Sequence, residues 1–206
     1  MSSLAAVLFA HLQDAEFYQF MHKEAAATLP DGHGRTWLDA GCGPGGLTRI
    51  ASDKGYAARG IDRDPLMIAA ARRLAADRNS PSTFEVADID TAAATGERFD
   101  VVSASSLLVV LPDPRKALLQ LQGLAKPVGT VLIVEASRGL TSKRAACDIL
   151  WRVHGRRAYM LQVWATVRSG RTLSDSIFDQ PEMHVTRRPL LNGLANAWTI
   201  KVPSIV

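Results

Sequence analysis

A chain of 206 residues, 47% hydrophobic and 21% charged, has an ordinary globular balance; it is long enough for one well-buried domain and short for two. The longest apolar run, residues 101–111, falls short of the roughly 20 residues of a membrane-spanning helix. Two cysteines, Cys42 and Cys147, are too few for a disulfide framework or a zinc site, so no metal is expected and a reducing, cytoplasmic compartment is the default.

Residues 1–35 read as one or two helices ending at Leu29 and Pro30, with His11, Phe17, Tyr18, Phe20 and His22 among them. The first ten residues lack a basic n-region and do not read as a signal peptide, while Leu4, Val7, Leu8, Leu12 and Ala15 fall on one helical face. The segment 36–48, TWLDAGCGPGGLT, reads as a short buried strand, a glycine-rich turn and a helix start. Glycines at 41, 43, 45 and 46 allow a tight turn and close approach of a ligand, and the helix N-terminus offers free N–H groups to an anionic end. Gly41-x-Gly43-x-x-Gly46 also fits a dinucleotide fingerprint, so the loop alone leaves the ligand open.

A helix over about 46–54 stops at Gly55, and residues 57–62 form a second strand ending in Asp62. Asp62 lies 21 residues beyond Gly41, the distance at which a second-strand acid meets a ribose. Asp64 as N-cap and Pro65 at the first position open the next helix. Residues 83–89 read as a third strand carrying Asp88, and residues 99–105 as a fourth, apolar enough to be buried on both faces. A single acid at a strand end is ordinarily a helix cap; three such acids, Asp39, Asp62 and Asp88, at three successive strands are a pattern.

Past a further strand over 129–134, Thr141 and Ser142 suit a helix cap. An amphipathic pattern follows, broken at Gly155: Ala145, Ile149, Leu150 and Val153 before it, Tyr159, Met160, Val163, Trp164 and Val167 after it. His154 and His184 fall in this stretch, and with Tyr18 they are the candidates for an acid–base role, histidine being the best base near neutral pH. Residues 191–202 read as the final strand. Residues 138–206 carry 11 Lys and Arg against 4 Asp and Glu, so the basic excess lies outside the glycine-loop half, and Arg168 is among those arginines.

In order, the chain carries Leu38-Asp39-x-Gly41-x-Gly43-x-Gly45, Gly60-Ile61-Asp62 with Pro65 and Met67, Ala87-Asp88-Ile89, Phe99-Asp100-Val101-Val102 running into Ser106-Leu107-Leu108, Leu111-Pro112-Asp113-Pro114, and Gly129-Thr130-Val131-Leu132-Ile133-Val134. This ordered set resembles the class I S-adenosylmethionine-dependent methyltransferases, of the small-molecule type often called type 11, over residues 36–136. The resemblance implies an α/β fold: a Rossmann-like seven-stranded sheet with helices on both faces, the last strand antiparallel, and an N-terminal helical cap. It implies a single domain over 1–206: a cap at 1–35, a cofactor core at 36–136, substrate-side helices at 137–190 and a terminal strand at 191–206.

S-adenosylmethionine is the implied cofactor. Asp39 and the Gly41 and Gly43 backbone would face its methionine end, Asp62 its ribose, and Arg63 and Met67 its adenine. Asp88 would accept from the adenine amino group and the Ile89 N–H would donate to the ring. The Ala104 carbonyl would meet the ammonium, and Ser105 and Ser106 would lie between cofactor and acceptor. Tyr18 or His22 could close the site. Two departures stand out: residues 109 and 110 are both valine where many relatives carry a histidine nearby, and the usual Lys-Pro-Gly-Gly turn reads Lys126-Pro127-Val128-Gly129.

The expected activity is methyl transfer to a small molecule held between the helices of 1–30 and 140–170, with the acceptor atom not legible. An NAD-dependent reductase lacks support, because no Tyr-x-x-x-Lys pair occurs. A nucleic-acid methyltransferase has the basic C-terminal segment in its favour, but no Asp/Asn-Pro-Pro-aromatic motif follows strand four and no Pro-Cys pair is present. A non-catalytic cofactor-binding partner or sensor stays open. Oligomeric state is not legible.

Overall fold

The computed structural model describes residues 12–13, 15–151, 158–168, 170–179 and 183–204, with the backbone alone at Leu150 and Trp151. Its strands are β1 (Thr36–Ala40), β2 (Ala57–Asp62), β3 (Thr83–Val86), β4 (Phe99–Ser105), β5 (Ala125–Ala136), β6 (His184–Leu190) and β7 (Ala195–Lys201). They form one sheet in the order β3-β2-β1-β4-β5-β7-β6. The first five run parallel, and β7 is antiparallel to both β5 and β6. This is the expected Rossmann-like architecture.

The described helices are α1 (Glu16–Ala26), α2 (Gly46–Asp53), α3 (Pro65–Ala76), α4 (Ile89–Ala94), α5 (Pro114–Leu124), α6 (Ser142–Trp151) and α7 (Met160–Arg168). Successive side chains of a strand face opposite sides, and here both sides are apolar. Trp37, Val101, Leu132 and Val134 pack with Phe17, Tyr18 and Met21 of α1, Leu47 of α2 and Trp164 of α7. Leu38, Ala40, Val102, Val131 and Ile133 pack on the other side with Leu118, Leu121 and Leu124 of α5. Two-sided burial is what a parallel sheet requires, and it leaves the carboxyl ends of β1, β2, β4 and β5 along one rim.

Two sequence expectations shift. The third strand stops at Val86, because Asp88 turns the chain and caps α4. The segment 137–190, expected to be helical, ends in a strand: β6 pairs with β7 along His184–Leu190. The altered turn at Val128 puts that residue in the left-handed region, φ 62°, on the surface. The pattern of residues 4–12 falls largely on residues outside those described, as does the break at Gly155.

Candidate active site

Between β1 and α2 the chain passes through Gly41 (φ 65°), Gly43 (φ 53°) and Gly45 (φ 75°), a left-handed path that other residues adopt at a cost. Asp62, at the end of β2, fastens this loop. Its Oδ2 accepts from Gly43 N at 3.0 Å and its Oδ1 from Asp64 N at 2.9 Å, while Cys42 N donates to the Ile61 carbonyl at 2.9 Å. Cys42 itself is a buried packing residue beside Ile68, Ala71 and Phe84; burial raises its thiol pKa, which argues against a nucleophile.

Two side chains from the N-terminal segment lie over the loop. A Cβ on Gly43 would sit 3.1 Å from Gln13 Nε2, and one on Gly46 3.1 Å from His22 Nδ1. Both side chains are buried, yet Gln13 Oε1 and His22 Nδ1 find no hydrogen-bond partner among the described residues. A buried polar atom left unsatisfied costs about 1–3 kcal/mol. Two of them against a glycine turn mark a place where a polar ligand would complete the bonding.

Asp39 faces inward. It is 1% exposed, with Ser103 Oγ donating to Oδ1 at 2.7 Å and Thr48 Oγ1 to Oδ2 at 2.8 Å; Trp37 Nε1 donates to the same Ser103 hydroxyl at 2.8 Å. Burial lifts the Asp39 carboxyl to about 6 against the pull of the two hydroxyls. Its partners tie β1 to β4 and α2, so it is anchored at the base of the glycine loop.

Asp88 is exposed and caps α4, Oδ1 accepting from Thr91 N at 2.8 Å, and those Thr91 bonds lower its pKa. Ile89 is the first residue of α4, where the backbone N–H has no partner within the helix. Arg63 is exposed, with its charge acting on Asp88, and Met67 is buried on α3. Ala104 is buried in the ladder between Ala40 and Ile133.

The rim at β4 and β5 is polar and buried. Ser105 Oγ meets His22 Nε2 at 3.0 Å, and Ser106 Oγ meets the Tyr18 hydroxyl at 2.8 Å. Ser106 is left-handed, φ 56°, a conformation that costs of order 1–3 kcal/mol and persists only where the surroundings enforce it. Here its N–H donates to the Val134 carbonyl at 2.8 Å and its carbonyl accepts from Arg168 Nη2 at 2.9 Å. Burial raises the Tyr18 pKa and lowers that of His22 to about 3, so the imidazole is neutral. Glu135 lies beside them, Oε1 accepting from Val109 N at 3.3 Å; burial lifts its carboxyl to about 7, opposed by the Arg168 charge and by N–H groups of residues 107–109.

The profile of a methyltransferase-domain family matches residues 9–175. The chain belongs to the class I S-adenosylmethionine-dependent methyltransferases. The matching profile differs from the type 11 grouping that the motifs suggest; the class I assignment is what the two share. A ubiquinone biosynthesis O-methyltransferase of Vibrio vulnificus (strain YJ016) is 30% identical over 110 residues, 53% of this chain and 47% of that one, so the chain spans about half the length of such curated relatives. Among solved structures, a putative S-adenosyl-L-methionine-dependent methyltransferase from Methanococcus maripaludis superposes with a TM-score of 0.70 at 15% identity, covering 98% of this chain and 94% of that one. Magnesium protoporphyrin IX methyltransferase from Synechocystis PCC 6803, solved with S-adenosylhomocysteine, gives 0.65 at 16% identity, covering 97% and 94%. These likenesses carry the fold.

Of the three acid–base candidates of this methyltransferase, Tyr18 reaches the polar rim. His184 does not: it is exposed and pairs with Lys201, which in turn pairs with Thr130 near the start of β5, the sheet end opposite Glu135 and Ser106. His154 lies outside the described residues. Sequence reasoning passed over Gln13, Thr48, Ser103 and Glu135. Glu135 alone left a signal, a carboxylate closing the apolar run 131–134. No described helix is long and apolar enough to cross a membrane.

Proposed function

We propose that this methyltransferase methylates a small-molecule acceptor bound at the carboxyl ends of β4 and β5, beneath α1 and α7. The observation that carries this reading is the polar rim: Tyr18, His22 and Arg168, from three turns of the covering helices, converge on Ser105 and Ser106 beside the glycine loop. The left-handed loop and the two unsatisfied polar atoms over it fit the methionine end of the cofactor. Gln13 Oε1 and His22 Nδ1 would complete its polar contacts with the Gly41 and Gly43 backbone and the Ala104 carbonyl. Asp62 would hold the ribose; Arg63, Met67, Asp88 and Ile89 would hold the adenine. When bound, S-adenosylmethionine supplies a methyl group already activated as a sulfonium.

The chain's own contribution is alignment and exclusion of water. Phe17, Tyr18 and Trp164 form an aromatic group, ring centroids 5.6–5.8 Å apart, that shields the rim and suits a flat acceptor. Arg168 is buried at the rim and not displayed on an open surface, which favours a pocket-bound molecule over a polyanion. The curated relatives named O-methyltransferases favour oxygen as the receiving atom.

Incubation with methyl-labelled S-adenosylmethionine and fractionated cell extract tests the reading. Label is expected in the small-molecule fraction. Label confined to RNA or DNA, or cofactor retained with no transfer to any fraction, contradicts it.

A further inference from the structure

Glu135 is an expensive residue where it stands. Val131, Leu132, Ile133 and Val134 before it are fully buried, and it is itself 1% exposed. Its Oε1 holds the Val109 N–H at 3.3 Å, and Oε2 has no hydrogen-bond partner among the described residues. Bracing the turn at Leu108–Val110 does not call for a charge, since an amide of the same shape would also present an oxygen to the N–H groups of residues 107–109 without burying a carboxylate.

Its position is at the rim. Ser106 N donates to the carbonyl of Val134, the residue just before Glu135, and the Arg168 guanidinium that binds the Ser106 carbonyl also acts on the Glu135 charge at this end of β5. The charged and titratable groups of the covering helices whose electrostatics couple to it are Arg168 of α7 and Tyr18 of α1. The Arg168 guanidinium is hydrogen-bonded to the Ser106 carbonyl, and Oε2 stays buried without a hydrogen-bond partner among the described residues.

We infer that Glu135 Oε2 is the general base that takes a proton from the acceptor, and that the acceptor is therefore a hydroxyl or amine that enters protonated. This rests on the methyl-transfer reading above. The acceptor's O–H or N–H bond breaks as its proton passes to Oε2. The new bond to the methyl carbon forms as the sulfur–methyl bond breaks, and that electron pair stays on sulfur as a neutral thioether. A thiolate or a carbanion already formed would need no such group. Burial that lifts the carboxyl to about 7 poises it for proton transfer near neutral pH. Burial also means that the acceptor reaches Oε2 only when the packing over the strand end opens.

Glu135→Gln separates this role from bracing, because the amide oxygen still accepts from Val109 N. Affinity for S-adenosylhomocysteine, measured by calorimetry, is expected to be unchanged in the variant. Transfer of labelled methyl into the wild type's small-molecule product is expected to fall about 10²–10⁴-fold, the range of general-base contributions, and to lack the rise with pH through about 7 that is expected of the wild type. Glu135→Asp should recover part of the transfer. Infrared difference spectra of the S-adenosylhomocysteine complex across neutral pH give a readout without turnover: a buried protonated-carboxyl band with its midpoint near 7 is lost in the wild type and missing from Glu135→Gln, which keeps only the band of Asp39 near 6. Wild-type transfer rates in Glu135→Gln, or a wild type with no band near 7 that the variant lacks, overturn the proposal. A wild type that binds S-adenosylhomocysteine but labels nothing overturns the methyl-transfer reading itself, and this proposal with it.

Discussion

Gly45→Ala is expected to destabilise the protein by about 2–5 kcal/mol, combining the roughly 1–2 kcal/mol of a left-handed alanine with the roughly 1–3 kcal/mol of overpacking. Gly45 opens α2 at φ 75°, and a Cβ there would stand 2.6 Å from Phe84 Cζ and 3.2 Å from Ala71 Cβ. Both neighbours are locked in the small cluster of Cys42, Ile68, Ala71, Ala75 and Phe84, so neither has room to yield. The loss is large against a total stability of about 5–15 kcal/mol. Gly96→Ala is the control. Its φ is 74° but nothing lies within 4 Å of its Cβ position, so it should cost only the backbone part, roughly 1–2 kcal/mol. Urea unfolding of the two variants measures the difference. Equal costs would mean that α2 does not approach β3 and α3 as closely as described.

Asp62→Ala is expected to weaken S-adenosylhomocysteine binding about tenfold to a hundredfold, since a hydrogen bond to a charged group is worth roughly 1.5–3 kcal/mol. The carboxylate has two tasks. It faces the cofactor's ribose in the proposed complex, and it accepts from Gly43 N and Asp64 N at 3.0 and 2.9 Å. Removing it therefore also loosens the loop that carries the methionine end. Asp62→Asn, with one acceptor oxygen left, should lose less. Calorimetry on folded variants decides it, and unchanged affinity in Asp62→Ala would show that the ribose lies elsewhere.

The parallel half of the fold is legible in the sequence because each of its signals is local. A glycine turn, an acid 21 residues beyond Gly41 and an Asp64-Pro65 helix start are short patterns whose meaning does not depend on distant residues. Asp88 was legible as a station but not as a boundary: the apolar alternation runs on past Val86, and only the cap bond to Thr91 N ends the strand. β6 escaped for the opposite reason. Its sequence, HVTRRPL, holds two arginines and a proline, and it reads as a polar segment because it is an edge strand exposed along most of both faces.

The site divides in the same way. Asp39 is visible in the sequence, but its partners Thr48 and Ser103 are nine and 64 residues away, and nothing in the sequence tells that they close around it and turn it inward. The rim is harder still. Tyr18 with Ser106, His22 with Ser105 and Arg168 with Ser106 are pairs separated by 88, 83 and 62 residues, joined only by how α1 and α7 pack on the sheet. A helix carrying Tyr18 and His22 was readable as a cover; which strand end it covered was not.

The most direct measurement of the account is a crystal structure of the full chain with S-adenosylhomocysteine bound. The account predicts the ribose on Asp62, the methionine end across Gly41 and Gly43 within reach of Gln13 and His22, and the sulfur directed toward Ser105, Ser106 and Glu135. A ligand bound away from the glycine loop, or one whose sulfur points away from the ends of β4 and β5, would contradict it.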